Sequence, residues 1–178
     1  MCAIVGVYGA KKASTVAYYS LFAMQHRGQE ATGISVADGE RISLYKKRGM
    51  VADVFSQQTL DNLDGECAVG HNRYSTAGSE SAGDAQPVFA KYKLGEISVV
   101  HNGNLVNKHE VRNELIDRGA IFQTDMDTEH IIHLIAKSQK DSLVDRIKDM
   151  LTKIEGAYCL AIQSRSKMFV IRDRFGIR

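Results

Sequence analysis

Apolar residues recur along this chain in two rhythms. Period-two or continuously apolar stretches occupy residues 3–8, 31–37, 41–46, 67–72, 87–92, 96–101, 157–163 and 168–172, and they predict too much strand for a helical bundle. Short turns join several of them: Asp38-Gly39, Leu94-Gly95 and Ser164-Arg165-Ser166-Lys167, so the sheets are expected to be mainly antiparallel. Pro87 opens one strand, where a missing N–H is tolerated. The helical rhythm predicts helices over 14–25 behind Ser14 as a cap, over 108–118 behind Asn107 with Glu110 in capping-box register, over 127–138, and over 142–155 ended by Gly156. Strands interleaved with helices in this way imply two packed sheets with helices outside, an α+β layered architecture. The small, polar stretch 77–84 reads as a loop that a substrate orders.

A length of 178 residues suits one domain, 1–178, with an ordinary share of hydrophobic (44%) and charged (25%) residues. The formal net charge of +2, without a basic run or stripe, gives no reason to expect nucleic acid or a membrane surface as partner. Three widely spaced cysteines make neither a disulfide framework nor a C-x-x-C zinc pair, and a reducing cytoplasm fits them. No signal segment and no spanning apolar run stands out. Cys67 and Cys159 lie within strand-like runs and read as buried structural thiols.

Cys2 is different, because the apolar run Ala3-Ile4-Val5-Gly6-Val7-Tyr8 starts directly after it. Removal of Met1 would leave a thiol and a free α-amine on one residue at the mouth of a strand. Thiols titrate near ~8.5 and α-amines near ~7.7–8.0, so passing the proton from sulfur to nitrogen costs only about 1 kcal/mol. Such a residue needs no histidine as base.

Three further phrases supply what a thiolate would require. His101-Asn102-Gly103-Asn104 follows a strand and offers an amide side chain and a glycine N–H, the donor types that stabilise an oxyanion, although Asn-Gly alone is a common turn. Gly70-His71-Asn72-Arg73-Tyr74-Ser75-Thr76 ends another strand with an arginine whose fork suits a carboxylate, where most arginines are merely surface residues. Thr124-Asp125-Met126-Asp127-Thr128-Glu129 precedes a helix, and its acids have simple N-capping as their plain explanation.

In order along the chain, Cys2 with Ile4-Val5-Gly6, His26-Arg27-Gly28-Gln29-Glu30, Gly70 to Thr76, Gln86-Pro87, His101-Asn102-Gly103-Asn104-Leu105 and Asp127-Thr128-Glu129 resemble the motifs of the class II glutamine amidotransferases. Within that class the chain most resembles the glutaminase domains of the amidophosphoribosyltransferases. The resemblance implies a four-layer αββα sandwich, the N-terminal-nucleophile hydrolase fold. It implies Cys2 as nucleophile, the Asn102 side chain and Gly103 N–H as oxyanion hole, Arg73 for the α-carboxylate of free L-glutamine and Asp127 for its α-ammonium. Tyr74 and Thr76 would be secondary pocket residues, and Arg27 would order the N-terminus. Ammonia released from glutamine would pass to a phosphoribosyltransferase domain and form phosphoribosylamine from phosphoribosyl pyrophosphate in purine synthesis. That missing domain would hold Mg, this segment would need no cofactor, and the full-length enzyme would be a homo-oligomer. Arg172 to Arg178 resembles the junction between the two domains, so the chain is expected to be a segment of a longer enzyme or a stand-alone glutaminase.

Arg174 stands where the family commonly has proline, Asp84 where it often has asparagine, and Asp125-Met126-Asp127 lacks the serine expected before the aspartate. Other readings are the same chemistry serving glucosamine-6-phosphate or asparagine synthesis, and a non-catalytic regulatory module of the same fold. A metal on Glu129, His130 and His133 lacks the His-Glu-x-x-His order, and a papain-like pair of Cys2 with His71 or His101 leaves the terminal position of the cysteine unexplained.

Overall fold

The strand rhythm is realised as two four-stranded antiparallel sheets. Residues 2–74 and 85–178 are described by a computed structural model of the chain. Thr76 and the loop expected at 77–84 lie outside the described residues.

The first sheet has the order β1-β4-β2-β3, formed by β1 (Ala3–Tyr8), β4 (Cys67–Arg73), β2 (Ala31–Ala37) and β3 (Ile42–Arg48). The second has the order β5-β6-β7-β8, from β5 (Val88–Tyr92), β6 (Gly95–Leu105), β7 (Gly156–Ser164) and β8 (Met168–Arg172). Helices α1 (Ala13–Ala23), α2 (Val51–Val54) and α3 (Gln57–Asp61) cover the outer face of the first sheet, where Leu21, Ile34, Val36, Val51 and Leu60 form one core. Helices α4 (Lys108–Asp117), α5 (Asp127–Lys137) and α6 (Leu143–Leu151) cover the second, where Val99, Leu115, Ile131, Ile135, Met150 and Leu160 form another. The result is the αββα sandwich. Each large aliphatic side chain buried in these two layers stabilises it by about 1.5–3 kcal/mol.

Between the sheets the packing is thin and partly polar. Val69, Val100 and Ala161 meet there, joined by Ile4 and Met168. Ser35 Oγ shares a hydrogen bond with Ser98 Oγ at 2.7 Å and donates to Gln163 Oε1 at 3.0 Å, while Gln163 Nε2 donates to the Cys67 carbonyl at 2.6 Å. Buried polar groups are tolerated because these bonds close on one another.

Several local expectations are corrected. Ser14 does not cap α1; it is buried and its hydroxyl donates to Leu60 O at 3.1 Å, so tertiary packing claims it. Asn107 precedes α4 without a side-chain cap, because its amide bridges Lys153 O and Glu155 N at 2.9 and 3.0 Å. Helix α6 stops at Leu151, and Gly156, at φ +145°, opens β7. Short α2 and α3 had no apolar period long enough to announce them. Cys67 is buried as expected, whereas Cys159 is only half-buried.

The most consequential correction concerns His101-Asn102-Gly103-Asn104. It is no turn: β6 continues through it, with Asn102 opposite Cys159 and Gly103 opposite Tyr158 in β7. Glycine is needed at 103 for space, since a Cβ there would press on the Ala157 carbonyl and Tyr158 Cα.

Candidate active site

Alternation along the strands settles which side chains meet. Ile4 packs between the sheets, so Cys2, two residues earlier, is carried to the same face at the start of edge strand β1. Cys2 Sγ lies 3.5 Å from the Tyr74 N–H, which donates to it, and 3.8 Å from the Tyr74 carbonyl. Arg27, in the 3-10 turn Gln25–Arg27, donates from Nε to the Cys2 carbonyl at 3.3 Å. Tyr74 therefore meets the cysteine through its backbone, and its ring is exposed. Among the described residues the sulfur's hydrogen-bonding partners are the backbone N–H and carbonyl of Tyr74 and no histidine, which speaks against the papain-like arrangement.

The second sheet faces that cysteine with β6. Ser98 and Val100 point between the sheets, and the same alternation brings Asn102 onto that face, with β1 and β6 in contact across the gap. Arg178 Nη1 donates to Asn102 Oδ1 at 3.4 Å, leaving the amide NH2 as the end available to a ligand.

Beyond Val99 no described strand pairs with this edge of β6, because β5 ends its pairing at Val88 opposite Val99. N–H groups of alternate residues in an antiparallel strand point to the same side. On this side the His101 N–H donates to Gln86 Oε1 at 2.7 Å and the Leu105 N–H donates to Asp127 Oδ2 at 2.8 Å. The N–H of Gly103, midway between them, points out of the same open edge.

Arg73 ends β4 on the inter-sheet face. Its Nε lies 3.5 Å from Glu30 Oε1, and its Nη1 reaches Met126 Sδ at 3.6 Å, joining β4 to the start of α5. Of the two aspartates there, Asp125 is exposed and pairs with Arg112 at 3.2 Å, whereas Asp127 is half-buried against β6. Neither caps α5 by its side chain; Met126 holds that position. Among the described residues, Asp127 Oδ1 takes no hydrogen bond. Glu129 braces the turn before α5, accepting from the Gln123 and Thr124 N–H groups at 2.8 Å each and from the Thr124 hydroxyl at 2.7 Å. Burial works to raise its carboxyl pKa, but these bonds outweigh burial and hold it low.

Two histidines are sealed beside the site. Burial pushes the His71 imidazole down to about 3, with repulsion from His101 adding to it and the nearby His101 backbone opposing it, and neither ring nitrogen makes a hydrogen bond of good geometry among the described residues. Burial also pushes His101 down, to about 4; the Asp127 carboxylate opposes the shift and Arg178 adds to it. Both are neutral at pH 7. His130 is buried and His133 half-buried, and both rings pack at a tilt against Phe122, with ring centroids at 4.9 and 4.6 Å. Among the described residues no group of three or more His, Cys, Asp or Glu could hold a metal ion.

Sequence reasoning assigned no role to Gln86, Glu30, Met126 or Arg178, although each touches a candidate site residue or its strand. A signal existed for all four, because each falls inside one of the quoted phrases, but none of those phrases says which atom its residue will touch.

The geometry can be compared with known proteins. Residues 71–178 match the family model described as a glutamine amidotransferase domain. The chain is 43% identical over 178 residues to amidophosphoribosyltransferase 2, chloroplastic, of Arabidopsis thaliana, covering 99% of this chain and 32% of that protein. It is 39% identical over 178 residues to the amidophosphoribosyltransferase of Bacillus subtilis, covering 99% of this chain and 37% of that one. The fold superposes on a solved allosteric regulatory enzyme of purine biosynthesis with a TM-score of 0.95, at 38% identity, over 100% of this chain and 38% of the other. It superposes on the B. subtilis glutamine phosphoribosylpyrophosphate amidotransferase complexed with ADP and GMP with a TM-score of 0.93, at 37% identity, over 100% and 38% of the two chains. The chain thus spans about a third of the length of these curated relatives.

Proposed function

The chain belongs to the glutamine amidotransferase domain family, and from that membership we propose that it hydrolyses free L-glutamine to glutamate and ammonia through a Cys2 thioester. The observation that carries the reading is the outward N–H of Gly103, without a partner among the described residues, beside Asn102 on the strand that faces β1 and Cys2.

With Met1 removed, the Cys2 thiol passes its proton to its own α-amine and the sulfur attacks the side-chain amide carbon of glutamine. The amide oxygen takes up the negative charge, stabilised by Asn102 Nδ2 and the Gly103 N–H. The carbon–nitrogen bond then breaks, the α-ammonium returns its proton to the leaving nitrogen, and ammonia departs. Water attacks the thioester through a second oxyanion, releasing glutamate and restoring the thiol. Arg73 binds the α-carboxylate and Asp127 the α-ammonium with its open Oδ1, so a peptide-bound glutamine, lacking one or both charges, is refused. The Tyr74 N–H steadies the thiolate and Arg27 holds the Cys2 carbonyl.

In the longer protein the ammonia would serve phosphoribosylamine formation from phosphoribosyl pyrophosphate, for de novo purine synthesis in the cytoplasm. The partner domain would be a phosphoribosyltransferase, with Mg held there, and the whole would be a homo-oligomer. The names of the relatives and their greater length support this. No described helix is long and apolar enough to cross a membrane.

A diazo-ketone analogue of glutamine tests the site, read by intact and peptide mass spectrometry. An adduct on Cys2 in protein lacking Met1 is expected. A protein free of Met1 that takes no label and hydrolyses no glutamine, alone or joined to its transferase domain, would overturn the reading.

A further inference from the structure

We propose that Gln86 is a positioning residue for the oxyanion hole, taking over at His101 the hydrogen bond that a longer β5 would have made, so that the Gly103 N–H alone stays open to substrate. This rests on the glutaminase reading of the site.

A strand edge left open presents its N–H groups at every second residue. On β6 three such groups follow the last β5 pair: those of His101, Gly103 and Leu105. The first is bound by Gln86 Oε1 at 2.7 Å and the third by Asp127 Oδ2 at 2.8 Å, both from side chains rather than from a strand. A continued β5 would have paired all three. A bare edge would have left all three to water and let the strand end move. The two side chains hold β6 on either side of position 103, and among the described residues the Gly103 N–H between them has no partner.

Gln86 is built into this place. It is buried at 8% exposure, and its backbone carbonyl rests against Gly33 of β2, where any Cβ would collide with it. Lys46 on β3 donates from Nζ to the carbonyls on either side, Ala85 O at 2.6 Å and Pro87 O at 3.1 Å. The first sheet thereby grips the backbone of residue 86 while the side chain reaches the edge of the second sheet. Gln86 thus ties together the two halves of the site, the sheet that carries Cys2 and the strand that carries Asn102 and Gly103.

The test compares Gln86→Met, which keeps the volume and loses the acceptor, with Gln86→Glu, which keeps an acceptor, in the full-length protein with Met1 removed. Misplacing one donor predicts that kcat for glutamine hydrolysis falls about 10- to 100-fold in Gln86→Met with KM within about twofold, and that Gln86→Glu recovers most of it. An unchanged kcat in Gln86→Met, or an equal loss in both variants, would overturn the proposal. Amide hydrogen exchange on the unmodified protein decides the matter even where Gln86→Met fails to fold. The His101 N–H should exchange slowly throughout, and the Gly103 N–H should exchange fast in the free protein and slowly in the diazo-ketone adduct. Equal protection of the two amides in the free protein would sink the idea. If the unmodified protein neither hydrolyses glutamine nor takes the label, the glutaminase reading fails; if it does both and Gln86→Met matches it, only the role of Gln86 fails.

Discussion

The two ends of the sandwich satisfy their polar groups in opposite ways. At the turn end, where β2 meets β3 and β5 meets β6, acids are satisfied by backbone N–H groups and cations of the chain itself. Asp38 Oδ1 accepts from the Glu40 and Arg41 N–H groups at 2.8 Å each, and these two bonds, Arg41 first, hold its carboxyl below the ordinary value. Glu96 accepts from Ile42 N at 2.6 Å and pairs with Lys91 at 3.0 Å. At the other end, where β1 starts and β4 and β6 finish, buried or half-buried polar groups lack a partner among the described residues: His71 at both nitrogens, His101 at Nε2, Asp127 at Oδ1 and Gly103 at its N–H. The first end is finished by the chain itself, whereas on the proposed reading the second is completed by a ligand. A fold tolerates open donors and acceptors where function uses them, and closes them elsewhere.

Removing the nucleophile is the sharpest way to separate the two ends. Cys2→Ser should lower glutamine hydrolysis by roughly 10³-fold or more while leaving unfolding within about 0.5 kcal/mol, checked by ammonia release and denaturant melts. A variant that lost both together would make Cys2 a structural residue.

Acid should strike the site end. For His71 and His101 the folded pKa values, about 3 and about 4, lie below the unfolded value near ~6.5, so the unfolded chain binds protons first as the pH falls. Their contribution is complete above pH ~6.5 and is lost on descending toward the folded values, at up to roughly 1.4 kcal/mol per pH unit for each histidine. Denaturant melts at pH 7.5, 6 and 5 measure the slope, and His71→Gln should flatten it. A flat curve in the unmodified protein would mean the histidines are not sealed.

Arg73→Lys keeps the charge and loses the fork. Losing a charge-assisted hydrogen bond of about 1.5–3 kcal/mol predicts a rise of roughly 10- to 100-fold in KM for glutamine, with kcat changed much less. Initial-rate kinetics over a wide glutamine range would show it, and a fall in kcat alone would place Arg73 elsewhere in the reaction. The smallest effect belongs to the turn end. Arg41→Ala breaks an exposed ion pair of 3.4 Å with Asp38 and should change stability by no more than about 0.5 kcal/mol, with unaltered kinetics. A larger loss would show that the turn end is as finely balanced as the site.

Most elements were legible in the chain because their apolar periods are long and their turns carry glycine. The strands at 3–8, 31–37 and 168–172 match to the residue, and α5 carries its apolar face as Ile131, Leu134 and Ile135 predict. What failed was local grammar overruled by contacts from afar. Ser14 and Asn107 have the chemistry of caps, but Leu60, Lys153 and Glu155 claim their side chains. Asn102-Gly103 has the form of a turn, but β7 is long enough to pair it into β6. The candidate residues Cys2, Arg73, Asn102, Gly103 and Asp127 were named from the sequence, whereas their supports Glu30, Met126, Arg178 and Gln86 were not given roles. A motif marks a residue type at a spacing and does not say which distant atom it will touch.

The sequence by itself determined the layers, the identity of the thiol that begins β1 and the presence of amide, guanidinium and carboxylate groups at strand and helix ends, because periodicity and residue chemistry are local properties. Only the tertiary structure decided that β5 stops short of β6, that Gln86 and Asp127 fill the edge on either side of Gly103, and that Asp127 rather than Asp125 lies inward. Those outcomes depend on the relative lengths of strands brought together from distant parts of the chain, a property that no local window of residues contains.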